Sequence, residues 1–293
     1  MRSFGRVLTA MVTPFHGDLS VNYKAAAELA TYLVNNGSDG LVVAGTTGES
    51  PTLTKEEKLK LFAAVLEAVG DRATVIAGTG SNDTRASVLL TAEAQKLGVH
   101  GVMAVGPYYN KPPQEGYYQH FKAIADATDL PVIIYNVPGR TGSNILPSTI
   151  IRLSEIKNIV AVKEASGNLD QASEISRNAP EDFMLYSGDD NLTLPILAVG
   201  GCGIISVAAH IVGNRLQNMI AAFFDGDYNR AQAIHLELLP VFKMIFITAN
   251  PIPIKTAVNM LGQNAGHLRL PLIPATESEC QQIRTVMQNL KLL

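Results

Sequence analysis

Lys163 stands in the run Ile159-Val160-Ala161-Val162-Lys163-Glu164-Ala165-Ser166, a nearly unbroken apolar stretch that ends in a cation. Such a run reads as a buried parallel strand, and a buried strand gains nothing structural from a lysine. Low dielectric disfavours the ammonium, so a desolvated lysine becomes a neutral amine able to condense with a carbonyl as a Schiff base. The plain alternative pairs Lys163 with Glu164 or another carboxylate, and the run alone does not decide between the two. Tyr135 closes the preceding apolar run, Val132-Ile133-Ile134-Tyr135. Neighbouring parallel strands lie about 4.8 Å apart, close enough for phenol and amine to share a proton.

Other polar groups follow apolar runs in the same way: Gly45-Thr46-Thr47-Gly48-Glu49-Ser50, Pro107-Tyr108-Tyr109-Asn110, Asn136-Val137-Pro138-Gly139-Arg140-Thr141 and Ser187-Gly188-Asp189-Asp190. Arg140, expected in a loop, offers a guanidinium fork suited to a substrate carboxylate, although a surface arginine would look the same. Thr46 and Thr47 beside glycine also fit a simple turn, and Tyr135 fits a satisfied core phenol. Asp189 and Asp190 read as polar loop residues more than as a metal pair. The 6 histidines show no zinc-ligand spacing, and no Gly-x-Ser-x-Gly elbow occurs, so no metal is expected and serine catalysis lacks its signature.

These groups need a scaffold. Eight apolar, β-branched runs recur: Val7–Val12, Leu41–Ala44, Thr74–Ala77, Val102–Val105, Val132–Tyr135, Ile159–Val162, Met184–Tyr186 and Ile204–Val207. Amphipathic stretches alternate with them, such as the one opening at Lys55 behind a Thr54 N-cap. Nearly all-apolar strands alternating with helices imply a covered parallel sheet, and eight of them imply closure into a (β/α)8 TIM barrel. The polar groups above would then share its C-terminal face, where such barrels build their sites. An open doubly wound sheet is the competing reading, but Gly78-Thr79-Gly80-Ser81-Asn82-Asp83 lacks the third glycine of a dinucleotide loop. The catalytic barrel is expected over residues 1–225. Helical periodicity around Leu216–Phe224, Asn229–Thr248, Ile254–Leu261 and Ser278–Leu290 predicts a C-terminal helical region over 226–293, packed on the barrel.

At 293 residues with a formal net charge of −3 and no basic cluster, the chain offers nucleic acid no positive face. Cys202 and Cys280 lack metal-ligand spacing and read as free buried thiols in a reducing cytoplasm. The apolar start, Val7 to Val12, has no signal-peptide cleavage pattern. The nearly uncharged stretch 192–213 is too broken by Pro195, Gly200, Gly201 and Gly203 to span a membrane, and reads instead as a short helix, a turn and a buried strand.

The motifs together resemble the dihydrodipicolinate synthase family of pyruvate-dependent class I aldolases. The similarity runs from Thr9-Ala10-Met11-Val12-Thr13-Pro14-Phe15, through the groups around Thr46, Tyr109, Arg140 and Lys163, to Asn250-Pro251-Ile252-Pro253-Ile254-Lys255. The double threonine and Gly139-Arg140-Thr141 distinguish it from sialic acid lyase-type relatives. The resemblance implies that pyruvate condenses with Lys163 and then attacks L-aspartate 4-semialdehyde, the first committed step of lysine and diaminopimelate biosynthesis, with no cofactor. By the same resemblance Tyr135 relays protons, and Thr46 links it to Tyr109 of a neighbouring subunit in a homotetramer of tight dimers. Thr47 and the Thr46 backbone would hold pyruvate's carboxylate, Gly188 and Ile205 would line the pocket, and Arg140 would hold the aldehyde substrate's carboxylate. The alternative is a related aldolase cleaving a 2-keto-3-deoxy sugar acid or sialic acid. Ser50, Asn82 and Tyr108 match the family's lysine-effector cleft, but Lys55, Lys58 and Ala86 replace the histidines and glutamate of lysine-sensitive bacterial relatives, which implies escape from feedback inhibition.

Overall fold

The computed structural model describes residues 4–293. Eight strands form a closed barrel in chain order. They are β1 (Val7–Ala10), β2 (Gly40–Val43), β3 (Thr74–Gly78), β4 (Gly101–Val105), β5 (Val132–Asn136), β6 (Ile159–Glu164), β7 (Met184–Ser187) and β8 (Gly203–Ser206). Each coincides with one of the eight apolar runs to within a residue or two. Side chains of these strands are buried almost throughout, as a parallel sheet covered by helices requires.

The connecting helices are α1 (Tyr23–Asn35), α2 (Lys55–Val69), α3 (Thr84–Leu97), α4 (Gln114–Asp126), α5 (Pro138–Thr141), α6 (Pro147–Ser154), α7 (Leu169–Asn178) and α8 (Thr193–Ala198). Local chemistry fixes their ends. Thr54 and Glu57 close a reciprocal capping box before α2, Asp83 caps α3, and Asn168 caps α7. Four further helices follow β8: α9 (Ala209–Phe224), α10 (Tyr228–Met244), α11 (Ile252–Met260) and α12 (Glu277–Asn289). Among the described residues no helix is long and apolar enough to cross a membrane, and the stretch 192–213 divides into a short helix, a turn, a strand and the opening of α9.

α9 starts at Ala209, well before the expected Leu216, with a kink at Val212 where φ is −134°. The kink follows from close packing. A Cβ on Gly213 would meet the Asn36 carbonyl oxygen at 2.3 Å, so α9 passes the end of α1 only through a glycine.

The chain groups into two compact units. One comprises the residues up to Val75 together with Ser206–Leu293, and the other comprises Ile76–Ile205. Within the first, α1 packs on α2, α9 on α10, and α11 on α12; within the second, β4, β5, β6 and β7 pair in register, flanked by α4, α6 and α7.

Candidate active site

In the unit Ile76–Ile205, β-ladder register sets the geometry around Lys163. Tyr135 of β5 and Tyr186 of β7 are its direct partners, and Asn136, Glu164 and Ser187 form the next row. Glu164 hydrogen-bonds Gln171 of α7, so its row faces the helices and the Lys163 row faces the barrel interior. Lys163 is 4 % exposed, and its Nζ lies 4.3 Å from the Tyr135 ring centroid. No hydrogen bond or ion pair engages Nζ among the described residues. Burial pushes Lys163 down to about 8; the Asp189 and Asp190 carboxylates pull it up, and the Arg140 guanidinium pushes it further down. The pairing of Lys163 with Glu164 is thereby overturned: Glu164 faces away and accepts instead from Asn136, Gln171 and the Ser166 amide.

Arg140 does not sit in an irregular loop. Pro138 at the first helical position and a left-handed Gly142 after Thr141 close it into the single turn α5. Its side chain is exposed and makes no ion pair among the described residues. Gly188 donates its amide to the Glu164 carbonyl at 2.7 Å, and a Cβ there would lie 2.6 Å from the Ala165 Cβ, so only glycine fits between the two strand ends. Asp189 follows directly, its carboxyl raised by burial against the opposing pull of Lys163 and Arg140. Ile205 is fully buried in β8. Tyr109, by contrast, is 89 % exposed in a left-handed backbone conformation (φ 71°), with Asn110 beside it tied to the Asn82 carbonyl.

The other unit shapes the threonine turn that follows β2. The Thr13 hydroxyl donates to the Gly48 carbonyl at 2.7 Å, and Asn250 Nδ2 donates to the Thr47 hydroxyl oxygen at 2.9 Å. Because Thr47 Oγ1 already accepts, its proton is free to donate elsewhere. The backbone amides of Thr46 and Thr47 also donate to nothing among the described residues, an arrangement able to receive a carboxylate.

The turn is fastened by a buried ion pair that the sequence did not reveal. Glu49, held at φ 57°, accepts from Lys255 Nζ at 2.8 Å and from the Arg269 amide at 3.0 Å, and Lys255 also donates to the Thr13 carbonyl at 2.7 Å. Burial lowers the Lys255 pKa and Glu49 opposes that shift. A buried lysine paired with a carboxylate therefore does exist among the described residues, but it is Lys255. Cys202 and Cys280 are free and partly exposed, where buried thiols were expected; burial still pushes the Cys202 thiol up to about 11.

The Dihydrodipicolinate synthetase family model matches residues 3–290. The chain belongs to this family. It is 60% identical over 291 residues to the 4-hydroxy-tetrahydrodipicolinate synthase of Desulforamulus reducens, with 99% of this chain and 98% of that one covered. To the enzyme of the same name from Moorella thermoacetica it is 61% identical over 290 residues, 99% of each chain. Among solved structures, a dihydrodipicolinate synthase from Bacillus anthracis superposes with a TM-score of 0.96 at 52% identity, covering 98% of this chain and 99% of the other. DHDPS from Cyanidioschyzon merolae, solved with lysine bound, superposes with a TM-score of 0.98 at 50% identity and 99% coverage of both.

Proposed function

We propose that the chain condenses pyruvate with L-aspartate 4-semialdehyde to give 4-hydroxy-tetrahydrodipicolinate. The observation that carries this reading is Lys163: a buried amine without a hydrogen bond or ion pair among the described residues, beside a tyrosine ring, in a chain that matches the family over residues 3–290. Neutral Nζ adds to the pyruvate carbonyl carbon, and water leaves to form an imine. Loss of a methyl proton gives the enamine, whose former methyl carbon bonds to the aldehyde carbon while the aldehyde oxygen takes up a proton relayed by Tyr135. The amino group of the second substrate then displaces Lys163 from the imine and closes the ring, which returns the free amine.

The remaining roles are those that the family resemblance implies, and the donor chemistry of the threonines and of Arg140 is compatible with them. The Thr47 hydroxyl and the Thr46 and Thr47 amides hold pyruvate's carboxylate, Gly188 and Ile205 line the pocket, and the Arg140 fork takes the carboxylate of the aldehyde. Thr46 passes protons between Tyr135 and Tyr109 of a second copy; a tyrosine 89 % exposed in strained backbone has a purpose if another chain covers it. A homotetramer of tight dimers in the cytoplasm, without a cofactor, is the assembly that fits this arrangement.

Turnover with pyruvate and a panel of aldehydes tests the reading. Aspartate semialdehyde is expected to be consumed well ahead of sugar aldehydes. Preferred cleavage of a 2-keto-3-deoxy sugar acid would replace this function with the lyase alternative.

A further inference from the structure

We propose that Glu164 is a positioning residue: through Gln171, Asn144 and Asn136 it anchors the segment that carries Arg140, and so sets the affinity for the aldehyde substrate. The inference rests on the reaction proposed above. Glu164 is 3 % exposed on the face of β6 opposite Lys163. Oε1 accepts from the Ser166 amide at 2.6 Å, and Oε2 accepts from Asn136 Nδ2 and Gln171 Nε2, each at 3.1 Å. Register pairs Asn136 with Glu164 just as it pairs Tyr135 with Lys163, so this carboxylate joins the two strands that bear the phenol and the amine.

The same network runs into the Arg140 segment. Asn136 Nδ2 donates to Asn144 Oδ1 at 2.8 Å, Asn136 Oδ1 accepts from the Ile145 amide at 3.1 Å, and Asn144 Nδ2 donates to Gln171 Oε1 at 2.8 Å. α5 is therefore suspended between two fixed points, Asn136 before it and Asn144 with Ile145 after it. The Arg140 side chain makes no hydrogen bond or ion pair among the described residues and feels Asp189 only through space, so its fork is aimed chiefly by the backbone that carries it. Contacts from α4, such as Gln114 Nε2 to the Asn144 carbonyl at 2.9 Å, hold the outer side independently of Glu164. Loosening the β6 side should shift the turn without unravelling it.

Only a carboxylate suits this position. All its neighbours are donors, so a glutamine would set an amide nitrogen against another N–H and leave both unsatisfied. Glu164→Gln is expected to raise the KM for aspartate semialdehyde about tenfold, the effect of one lost charge-assisted hydrogen bond. The KM for pyruvate and the yield of borohydride-trapped pyruvate adduct should stay within about twofold, because the backbone ladder of β5 and β6 keeps Lys163 beside Tyr135 without the Glu164 side chain. Asn144→Ala loosens the same turn without touching β6 and should act in the same direction, which decides the matter if Glu164→Gln does not fold. In an Arg140→Ala background neither change should raise the aldehyde KM further.

Equal effects on both substrates, loss of trapping in the Asn144 variant, or a further multiplicative rise without Arg140 would overturn the role. Failure of the unaltered protein to consume aspartate semialdehyde would overturn the reaction and this role together. An Arg140→Ala change without effect on aldehyde KM would remove the assigned target of the anchor alone.

Discussion

Lys163 Nζ lies 4.3 Å from the centroid of the Tyr135 ring, and the two residues are direct partners across β5 and β6. The ring face attracts an ammonium while burial disfavours it, and burial brings the amine down to about 8, so that a fraction on the order of a tenth is neutral at pH 7 where an ordinary lysine has almost none. A group that must be neutral to attack, and whose nitrogen must take up a proton to leave when the second amine displaces it, benefits from that balance.

The first prediction is the site of the adduct. Borohydride reduction in the presence of pyruvate should label Lys163 and spare Lys255, whose amine is occupied by Glu49 and the Thr13 carbonyl. Peptide mapping checks this, and label on Lys255 would defeat the assignment. Stability should divide in the opposite sense. Lys255→Ala strands a buried carboxylate and should cost about 3–5 kcal/mol in chemical denaturation, whereas Lys163→Ala breaks no ion pair and should cost far less.

The pH dependence of kcat/KM for pyruvate supplies the second. Lys163 loses its proton near pH 8, so the rate constant should fall as pH drops below about 8, by about tenfold per unit. The Asp189 carboxylate raises this pKa and the Arg140 cation lowers it. Asp189→Asn should therefore move the limb to lower pH and Arg140→Ala should move it to higher pH. Limbs that fail to separate in these directions would refute the electrostatic assignment.

Much of this site was legible because its signals are local. A cation ending an apolar run marks Lys163, and the run before it places Tyr135 on the adjoining strand. The partners that hold the site in shape carry no such mark. Asn250 reaches Thr47 across 203 residues, and Lys255 reaches Glu49 across 206, separations that periodicity does not encode. Glu164 looked like a partner for its neighbour because adjacency in sequence suggests contact, yet strand pleating sends consecutive side chains to opposite faces. The one-turn helix at Arg140 escaped for a related reason, since four residues are too few to show a helical period.

Two buried histidines give a stability prediction. His210 is fully buried; Nε2 accepts from the Val12 amide at 3.1 Å and Nδ1 faces the Val207 carbonyl at 2.8 Å, which assigns the neutral ring with its proton on Nδ1. Burial pushes His210 and His120 each from 6.5 down to about 4. Their folded pKa values lie below the unfolded ones, so the unfolded chain binds more protons in between. Stability is thus fully present above about pH 6.5 and is lost as pH falls toward 4, by roughly 3 kcal/mol per histidine over the whole window. Urea denaturation at pH 7 and pH 5 should show this loss. Equal stability at the two values would contradict the buried neutral assignment.

Feedback by L-lysine is predicted to be absent. α2 opens with Lys55 and carries Lys58 one turn later, and Ala86 lies on α3; the family resemblance implies a glutamate at the Ala86 position in lysine-sensitive bacterial members. Losing that carboxylate removes a charge-assisted bond to an incoming ammonium, worth about 1.5–3 kcal/mol, and the two lysines add screened repulsion. The combined loss weakens binding by about two orders of magnitude. Initial rates should stay flat as L-lysine rises into the millimolar range, and partial inhibition there would refute the argument.

The last prediction concerns Tyr109. Its ring is 89 % exposed, and its backbone is held at φ 71°, a conformation that costs a non-glycine residue free energy and persists only where surroundings or function demand it. If a second copy uses this tyrosine to complete its proton relay, two differently damaged chains should complement one another. Lys163→Ala removes the nucleophile and Tyr109→Phe removes only the donated hydroxyl. A hybrid therefore contains one site with an intact Lys163 and a Tyr109 supplied by the lysine-deficient chain. Hybrids purified through two affinity tags should recover part of the original activity, well above either parent assembly. Verified hybrids no more active than the mean of their parents would place the relay within a single chain, and the exposure of Tyr109 would then need another cause.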